Sequence, residues 1–426
     1  MEFGFLFDYY RAAVSKIPDN RKMNCSIPFV DFFHTALAMF TLKSSSLLHF
    51  KTRTTQADEN IMRIFQISKI PLDTCFRKTL DKVDYTYFQN LFVEYWNLLK
   101  KEKRIKNRLV LNKFIAISID GVEHYSSNKI HCEKCLSRKF KNGDILYTHS
   151  MLCAVNVHYN KSTVFPIGLE PIVKLDGNEK NDCEQNACFR LLDQLHENYG
   201  NQPFLIIEDS LYSRKPQVSK ILSLGYSFII GIKPDGNKHI FNAFENRKSN
   251  NKTFTYNCET KNKKNETIFY EWIKNVALNE SSPEIRVNAL RIIVKNNKNE
   301  TTTFSWVTNL DVKLTNVEEI ALIARSRWKI ENETFNTLKN QGYEFEHNFG
   351  HGHNNLCSVL AHIMFFAFLI DQILQESNII FQSIHKKLKS FNRFWEQIRA
   401  VLWYQPVLSH QHSLEIIVRF FKISSA

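Results

Sequence analysis

FIAISID, Phe114 to Asp120, and FLIIED, Phe204 to Asp209, are the two stretches on which the fold turns. Each is a short apolar run of the kind a buried strand requires, and each ends on an aspartate. Far downstream, Ala324, Trp328, Glu331, Phe335 and Leu338 recur at steps of four, three, four and three, the spacing of one helical face. Glu331 takes a slot in that apolar stripe, where a charge is costly unless something compensates it. Glu333, in line with Ser326, Lys329 and Thr337, falls on what reads as a polar, solvated face. An aspartate after a buried strand often only opens a turn or caps the next helix. Three acids from three distant segments, in the order strand, strand, helix, point instead to a divalent-metal site.

Composition bounds the partner. The 426 residues allow two or three domains and a large core, and 43% hydrophobic with 23% charged content describes a folded chain. Lys and Arg exceed Asp and Glu by 13, which favours a polyanion: nucleic acid first, an anionic membrane surface second. The start, MEFGFLFDYYR, lacks the basic segment and cleavage site of a signal peptide. The longest uncharged apolar run, Leu356 to Ile370, is shorter than the roughly 20 residues of a spanning helix and reads as a core helix. Nine cysteines, an odd number at irregular spacing, suit reduced thiols in a reducing cytoplasm.

Residues 1–112 read as a helical N-terminal region suited to binding DNA. Asn60–Ile67 and Thr74–Val83 fit two short helices around Pro71, the second carrying Arg77, Lys78 and Lys82. A helix-turn-helix reader is one meaning, and amphipathic packing helices are the commoner one. The region closes on KKEKRIKNR, six basic residues in nine, which suits a solvated linker or a phosphate-tracking arm through Lys100, Lys101, Lys103 and Arg104.

From 113 the pattern is α/β. Strands are expected at 114–120, 150–157, 162–169, 204–208 and 228–233. A helix is expected from about 183 to 199, with Asp182 and Gln185 at capping-box spacing, and another between Pro216 and Gly225. Residues 235–303 are rich in Asn and Lys, hold alternating stretches such as ALRIIVK, and read as a β-rich insertion without a long helix. Ser305–Asn309 reads as a last strand and Val317–Asn340 as one helix. The second part of the core is expected over 304–375 and a helical tail over 376–426.

Three strands, helix, strand, helix, strand, helix is the ribonuclease-H-like order, with acids on the first strand, after the fourth and on a late helix. On these grounds 113–234 and 304–375 read as a ribonuclease-H-like core, preceded by the helical N-terminal domain and followed by C-terminal helices. The chain resembles the DDE transposases of bacterial insertion sequences, in the group with a β-insertion before the catalytic helix. SIDGVEHYSS (118–127), IIEDSLYS (206–213), FIIGIKP (228–234) and, most specifically, RSRWKIENETFNTLKNQGYEFEHNFGHG (325–352) carry the resemblance. That group's signature is Tyr, two residues, Arg, three residues, Glu, six residues, Lys. Arg327 and Glu331 match it, Ala324 stands in the tyrosine position, and the lysine falls at Leu338, with Lys339 one step later. On an unbroken α-helix the eight-residue spacing leaves Lys339 rotated by roughly 80° from the face of Glu331.

The resemblance implies a metal-dependent endonuclease and strand transferase acting at its own element's inverted repeats. Its partners would be terminal and target DNA and a second copy in a synaptic dimer, near the bacterial nucleoid. Asp120, Asp209 and Glu331 would hold two Mg²⁺ or Mn²⁺ ions, Asp120 bridging both. Arg327 suits either a phosphate contact or an intrahelical salt bridge to Glu331. Two other outcomes stay open: a domesticated DNA-binding protein without catalysis, and a structure-specific nuclease without strand transfer. HCEKC adds Cys132 and Cys135 as half of a zinc site, with His131 or His149 nearby, although two loop thiols without metal are the commoner meaning. His347, His351 and His353 of HNFGHGH suit the DNA path or an ordinary surface loop.

Overall fold

The computed structural model describes residues 1–21, 25–54, 58–173, 184–249, 253–259, 266–296 and 298–423. The expected cap Asp182 lies outside them. Helices α1 (Phe3–Val14), α2 (Phe29–Thr41), α3 (Leu47–Thr54), α4 (Asp58–Phe65), α5 (Asp73–Leu80) and α6 (Gln89–Lys101) lead into one mixed sheet. Its strands are β1 (Leu109–Val110), β2 (Phe114–Ser127), β3 (Leu136–Lys139), β4 (Ile145–Asn156), β5 (Phe165–Ile172), β6 (Phe204–Glu208), β7 (Ser227–Gly231), β8 (Phe254–Glu259), β9 (Thr267–Ala277), β10 (Arg286–Lys295) and β11 (Thr301–Thr308). They lie in the order β3-β4-β2-β6-β7-β11-β10-β9-β8, with β5 also on β4 and β1 on β2. β2 is antiparallel to β4 and parallel to β6, and β6 is parallel to β7. The parallel steps need covering crossovers. Helix α7 (Glu184–Tyr199) precedes β6, and α8 (Lys215–Ser223), with proline in its first turn, joins β6 to β7.

Three expectations change here. Helix α9 (Lys238–Ser249) opens the insertion, where a β-rich segment without a long helix was expected. Only Ile240 and Phe244, one turn apart, are buried on it, so its apolar face is too narrow to register among Asn and Lys. Residues 235–303, expected to interrupt the core along the chain, also add their strands to its sheet. β11 pairs with β7 through Trp306–Gly231, Val307–Ile230 and Thr308–Ile229, so β8 to β11 extend the central sheet as an antiparallel meander. Finally, the stretch expected as one helix over Val317–Asn340 is broken. It comprises α10 (Val317–Arg325), a π-helical turn over Ile330–Phe335 and α11 (Asn336–Asn340).

Helix α12 (Leu356–Ser377) runs 22 residues, past the expected apolar run, and by length and composition is able to cross a membrane. Its faces are instead covered by protein, with 94% of the apolar window buried. Phe366 stacks near Phe92 at 4.3 Å and also meets Tyr10, Phe88 and Tyr95. A helix apolar all round is what such a central position requires. Helices α13 (Ile379–Leu388), α14 (Phe391–Tyr404) and α15 (His410–Phe420) close the chain.

The basic run after α6 divides. Lys100, Lys101 and Lys103 are exposed and Arg104 is half-buried. Arg108 is fully buried, pairing with Glu376 at 2.5 Å and donating to Asn156 at 2.8 Å and Thr163 at 2.9 Å. Burial lowers its pKa to about 10 while Glu376 opposes the fall. Arg108 is thus a staple between the sheet and the end of α12, not part of a phosphate arm. Helices α4 and α5 stand where the two short helices were expected, and Lys78 and Lys82 are exposed. The end of α5 is docked inward: Asp81 accepts backbone N–H groups of His353, Asn354, Asn355 and Leu356, capping α12 from outside.

Candidate carboxylate site

The last paired rung between β2 and β6 is Ser118–Ile207. Asp120 and Asp209 each stand two residues beyond it, so they leave equivalent positions on parallel strands about 4.8 Å apart. Asp209 also opens the turn after β6, accepting the Leu211 N–H at 2.8 Å. That turn lies against β7 because Gly231 has no side chain; a Cβ there would come within 3.3 Å of the Ser210 nitrogen. Asp120 accepts the Gly121 N–H at 2.9 Å. Burial raises its pKa to about 6 against the pull of Arg327, and the charges of Glu331 and Asp209 push the same way as burial. All three acids therefore share one electrostatic neighbourhood.

The helix that brings Glu331 differs from the expected one in register. A π turn carries one more residue than an α turn, so positions beyond it rotate relative to those before. The stripe splits accordingly: Ala324, Phe335 and Leu338 are buried, but Trp328 is 44% exposed and Glu331 is exposed. The face read as solvated is the more buried one, with Ser326, Lys329 and Thr337 inside and Glu333 half-buried. Burial raises the Glu333 pKa while Lys329 opposes it. Glu331 is nevertheless the acid joined to Asp120. Arg327 donates from Nη1 to Asp120 at 3.0 Å and from Nη2 to Glu331 at 2.6 Å. The salt bridge within the helix and a contact to the first strand are made by one guanidinium.

The same π turn bears on Lys339. An extra residue inside the helix absorbs the extra step between Glu331 and Lys339, so the eight-residue spacing no longer implies the 80° rotation of an unbroken helix. Lys339 pairs with Glu346 at 2.6 Å, and its charge reaches Glu123 on β2. Lys100, Lys101, Lys103 and Arg104 make no bond to the three acids; Lys100 contacts Gln202 and Arg104 the Glu376 carbonyl.

An open groove beside the acids is lined by Asp209, Ser210, Lys233, Ser305, Trp306 and Arg327. Phe304, Trp306, Arg325 and Trp328 adjoin it, with the Arg325 guanidinium 5.1 Å from the Phe304 ring centre. Two carboxyls escaped the sequence reading. Glu184, in the first turn of α7, accepts the Tyr212 hydroxyl at 2.6 Å and sits 3.0 Å from where a Cβ on Gly121 would be. Nothing local marks it, because its neighbours come from β2 and the turn after β6. Glu208 is buried, its pKa raised to about 8 by desolvation, with Gln217 donating to it at 2.6 Å.

The thiols expected as half a zinc site do not stand alone. Cys132 and Cys135 converge with His149 of β4 and with His351, so the HNFGHGH segment is no ordinary surface loop. His347 and His353 are exposed, whereas His351 is buried. His131 stacks on Tyr147 at 4.2 Å and stands outside the cluster.

Residues 159–365 match the family model of the transposase DDE domain. The chain carries a transposase DDE domain. The matched stretch includes Asp209 and Glu331 and begins after Asp120, which joins them by strand register and the Arg327 bridge. No curated protein sequence matches the chain. Among solved structures, the NurA nuclease from Sulfolobus solfataricus overlays with a TM-score of 0.27 at 10% identity, covering 67% of this chain and 94% of that one. At that score it bears on neither fold nor chemistry.

Proposed function

We propose that this transposase cleaves DNA at the ends of its own element and joins the freed 3′-OH to target DNA. The observation that carries the proposal is the convergence of Asp120, Asp209 and Glu331 from two parallel strands and a distant helix, with Arg327 bonded to two of them. The donors are all carboxylate oxygens, the set that hard divalent cations select. A guanidinium already lies between Asp120 and Glu331, so the position attracts positive charge. Two Mg²⁺ or Mn²⁺ ions held there would activate a water or 3′-OH and stabilise the departing oxygen. Arg327 would turn from the acids to a phosphate, Lys233 and Arg325 would contact the backbone along the groove, and Trp328 offers a face on which a base stacks.

The strand set β5-β4-β2-β6-β7, with α7 and α8, we take as a ribonuclease-H-like core in the Tyr-Arg-Glu-Lys signature group, split by the insertion at 235–303. Residues 1–112 would bind element ends, Lys100, Lys101, Lys103, Arg104 and Lys339 would add phosphate contacts, and two chains would pair the ends in a synaptic dimer beside cytoplasmic DNA.

The test is a plasmid carrying the element's inverted repeats, incubated with the chain and Mg²⁺, followed by strand transfer from pre-cut ends. Cleavage with joining supports the proposal. Cleavage without joining indicates a structure-specific nuclease, and end binding without cleavage indicates a protein that has kept only DNA recognition.

A further inference from the structure

We propose that Cys132, Cys135, His149 and His351 bind one structural Zn²⁺ that clamps the segment after the Glu331 helix to the β2–β4 hairpin. Sequence spacing supplied the Cys-x-x-Cys with His131 or His149 nearby; the fourth donor comes from 216 residues beyond Cys135. This inference is independent of the carboxylate chemistry, because it is read from metal content without DNA.

The geometry is that of a tetrahedron's edges. Cys132 and Cys135 sulfurs are 3.9 Å apart, each lies 3.3–3.5 Å from His149 Nε2, Cys135 is 3.2 Å from His351 Nε2, and the two Nε2 atoms are 3.1 Å apart. Metal–sulfur bonds of about 2.3 Å and metal–nitrogen bonds of about 2.0–2.1 Å give edges of roughly 3.8, 3.5 and 3.3 Å. A disulfide is a different object, with sulfurs about 2.05 Å apart.

The hydrogen bonds around the cluster leave the donor atoms available. His351 Nδ1 lies 2.7 Å from the Gly352 carbonyl oxygen, which only accepts, so the ring proton is on Nδ1 and Nε2 presents a lone pair. The Cys132 backbone N–H points at the Cys135 sulfur at 3.4 Å. Cys135, His149 and His351 are buried and Cys132 is half-buried, and four protein donors fill a tetrahedral shell without a position for substrate. Buried thiolates need a cation, and two sulfurs with two imidazoles in tetrahedral array are a zinc set.

The clamp has a mechanical consequence. Gly350 and Gly352 adopt positive φ, and a Cβ on Gly352 would clash with Asp81 at 2.2 Å, so this loop is drawn tightly over α5. Zinc on His351 would fix the loop from the hairpin side, and with it the C-terminal exit of the helix carrying Glu331 and Lys339.

The full chain, purified without metal-affinity resin, should contain about one zinc per molecule, released by a thiol-blocking mercurial. Cys135→Ser and His351→Ala should lose the metal, and His131→Ala should keep it. His351→Cys should also keep it, and in the Co²⁺-substituted form should strengthen the thiolate charge-transfer band. A folded wild-type chain with under about a tenth of an equivalent of zinc after growth in zinc, and no Co²⁺ uptake, overturns the proposal. Wild-type zinc content in His351→Ala would overturn this ligand set.

Discussion

The β2–β4 hairpin and the stretch from Ser326 to Asn355 meet twice, and the two meetings use opposite chemistry. At one, Asp120, Arg327 and Glu331 form an ionic bridge beside an open groove, with Glu331 exposed. At the other, two sulfurs and two imidazoles converge in a largely buried cluster. Oxygen donors at an open edge suit ions that exchange ligands with a substrate, whereas sulfur and nitrogen donors in a closed shell suit an ion that never leaves. The difference shows how one pair of chain segments can be held rigidly at one point so that the other point is free to react. With the ions bound as proposed, donor softness would keep the two kinds of metal apart.

The comparison breaks most sharply on the acids. Asp120→Asn, Asp209→Asn and Glu331→Gln should each reduce Mg²⁺-dependent cleavage by on the order of 10³-fold or more, while end binding and zinc content stay unchanged. Cleavage rates and gel-shift affinities for the three variants check this. Near wild-type cleavage by any of them would falsify the assignment of that residue.

A third tether tests the rigid side. Lys43 is buried, 2.6 Å from Asp371 and 3.7 Å from the Tyr343 ring centre, and its Cβ would lie 3.0 Å from a Cβ on Gly342. Burial lowers its pKa to about 8 although Asp371 opposes the fall. Asp371→Asn should cost about 3–5 kcal/mol of stability at neutral pH, since it leaves a buried charge without its partner. The sign of the pH dependence follows from the lowered pKa. Between about 8 and 10.5 the folded chain binds fewer protons than the unfolded one, so this group's contribution to stability improves as pH rises through that window. In the Asn variant the window should extend to lower pH, so the deficit should shrink as pH rises towards about 8 and level off above it. Denaturation midpoints across that range would show it, and a constant deficit would mean that Lys43 is uncharged in the native chain at neutral pH.

What was legible in the sequence depended on how local its cause was. Apolar runs announced β2, β6 and β7, and proline and glycine framed α8, because a buried strand or a capped helix is written in a few consecutive residues. Pairing partners were not legible. Nothing within 235–303 says that β11 pairs with β7, and nothing near His351 says that Cys135 lies beside it. The π turn was hidden for a related reason. A 3.6-residue template presumes an unbroken helix, and the stripe through Trp328 and Glu331 fitted that template while the chain departs from it. Arg108 and His351 looked like surface residues because their partners, Glu376 and the two thiols, are supplied by tertiary structure.

Arg327 is the part of the open joint that most resembles a cation already in place. Arg327→Ala should lower cleavage by roughly 10- to 100-fold through loss of a phosphate contact. It should at the same time lower the Mg²⁺ concentration for half-maximal cleavage a few-fold, because a competing charge near Asp120 and Glu331 is gone. A titration of cleavage against Mg²⁺ separates the two effects. If half-saturation rises instead, the guanidinium helps to assemble the acids and does not compete with the ions.

The smallest effect is expected at Glu333, and it tests the helix register directly. Glu333 is half-buried with Lys329 as its nearest opposing charge, on the side of the helix away from the Arg327 bridge. Burial alone does not make it a ligand, because Asp120 is bonded through Arg327 to Glu331, two residues earlier on the chain. Glu333→Gln keeps the shape, removes a carboxylate that burial already disfavours in its charged form, and should leave cleavage within about twofold of wild type, with stability equal or slightly raised. Single-turnover cleavage and a melting curve on the same preparation are sufficient. Loss of cleavage in Glu333→Gln, with Glu331→Gln still active, would mean that the π turn closes the other way in the DNA complex and presents Glu333 to the strands.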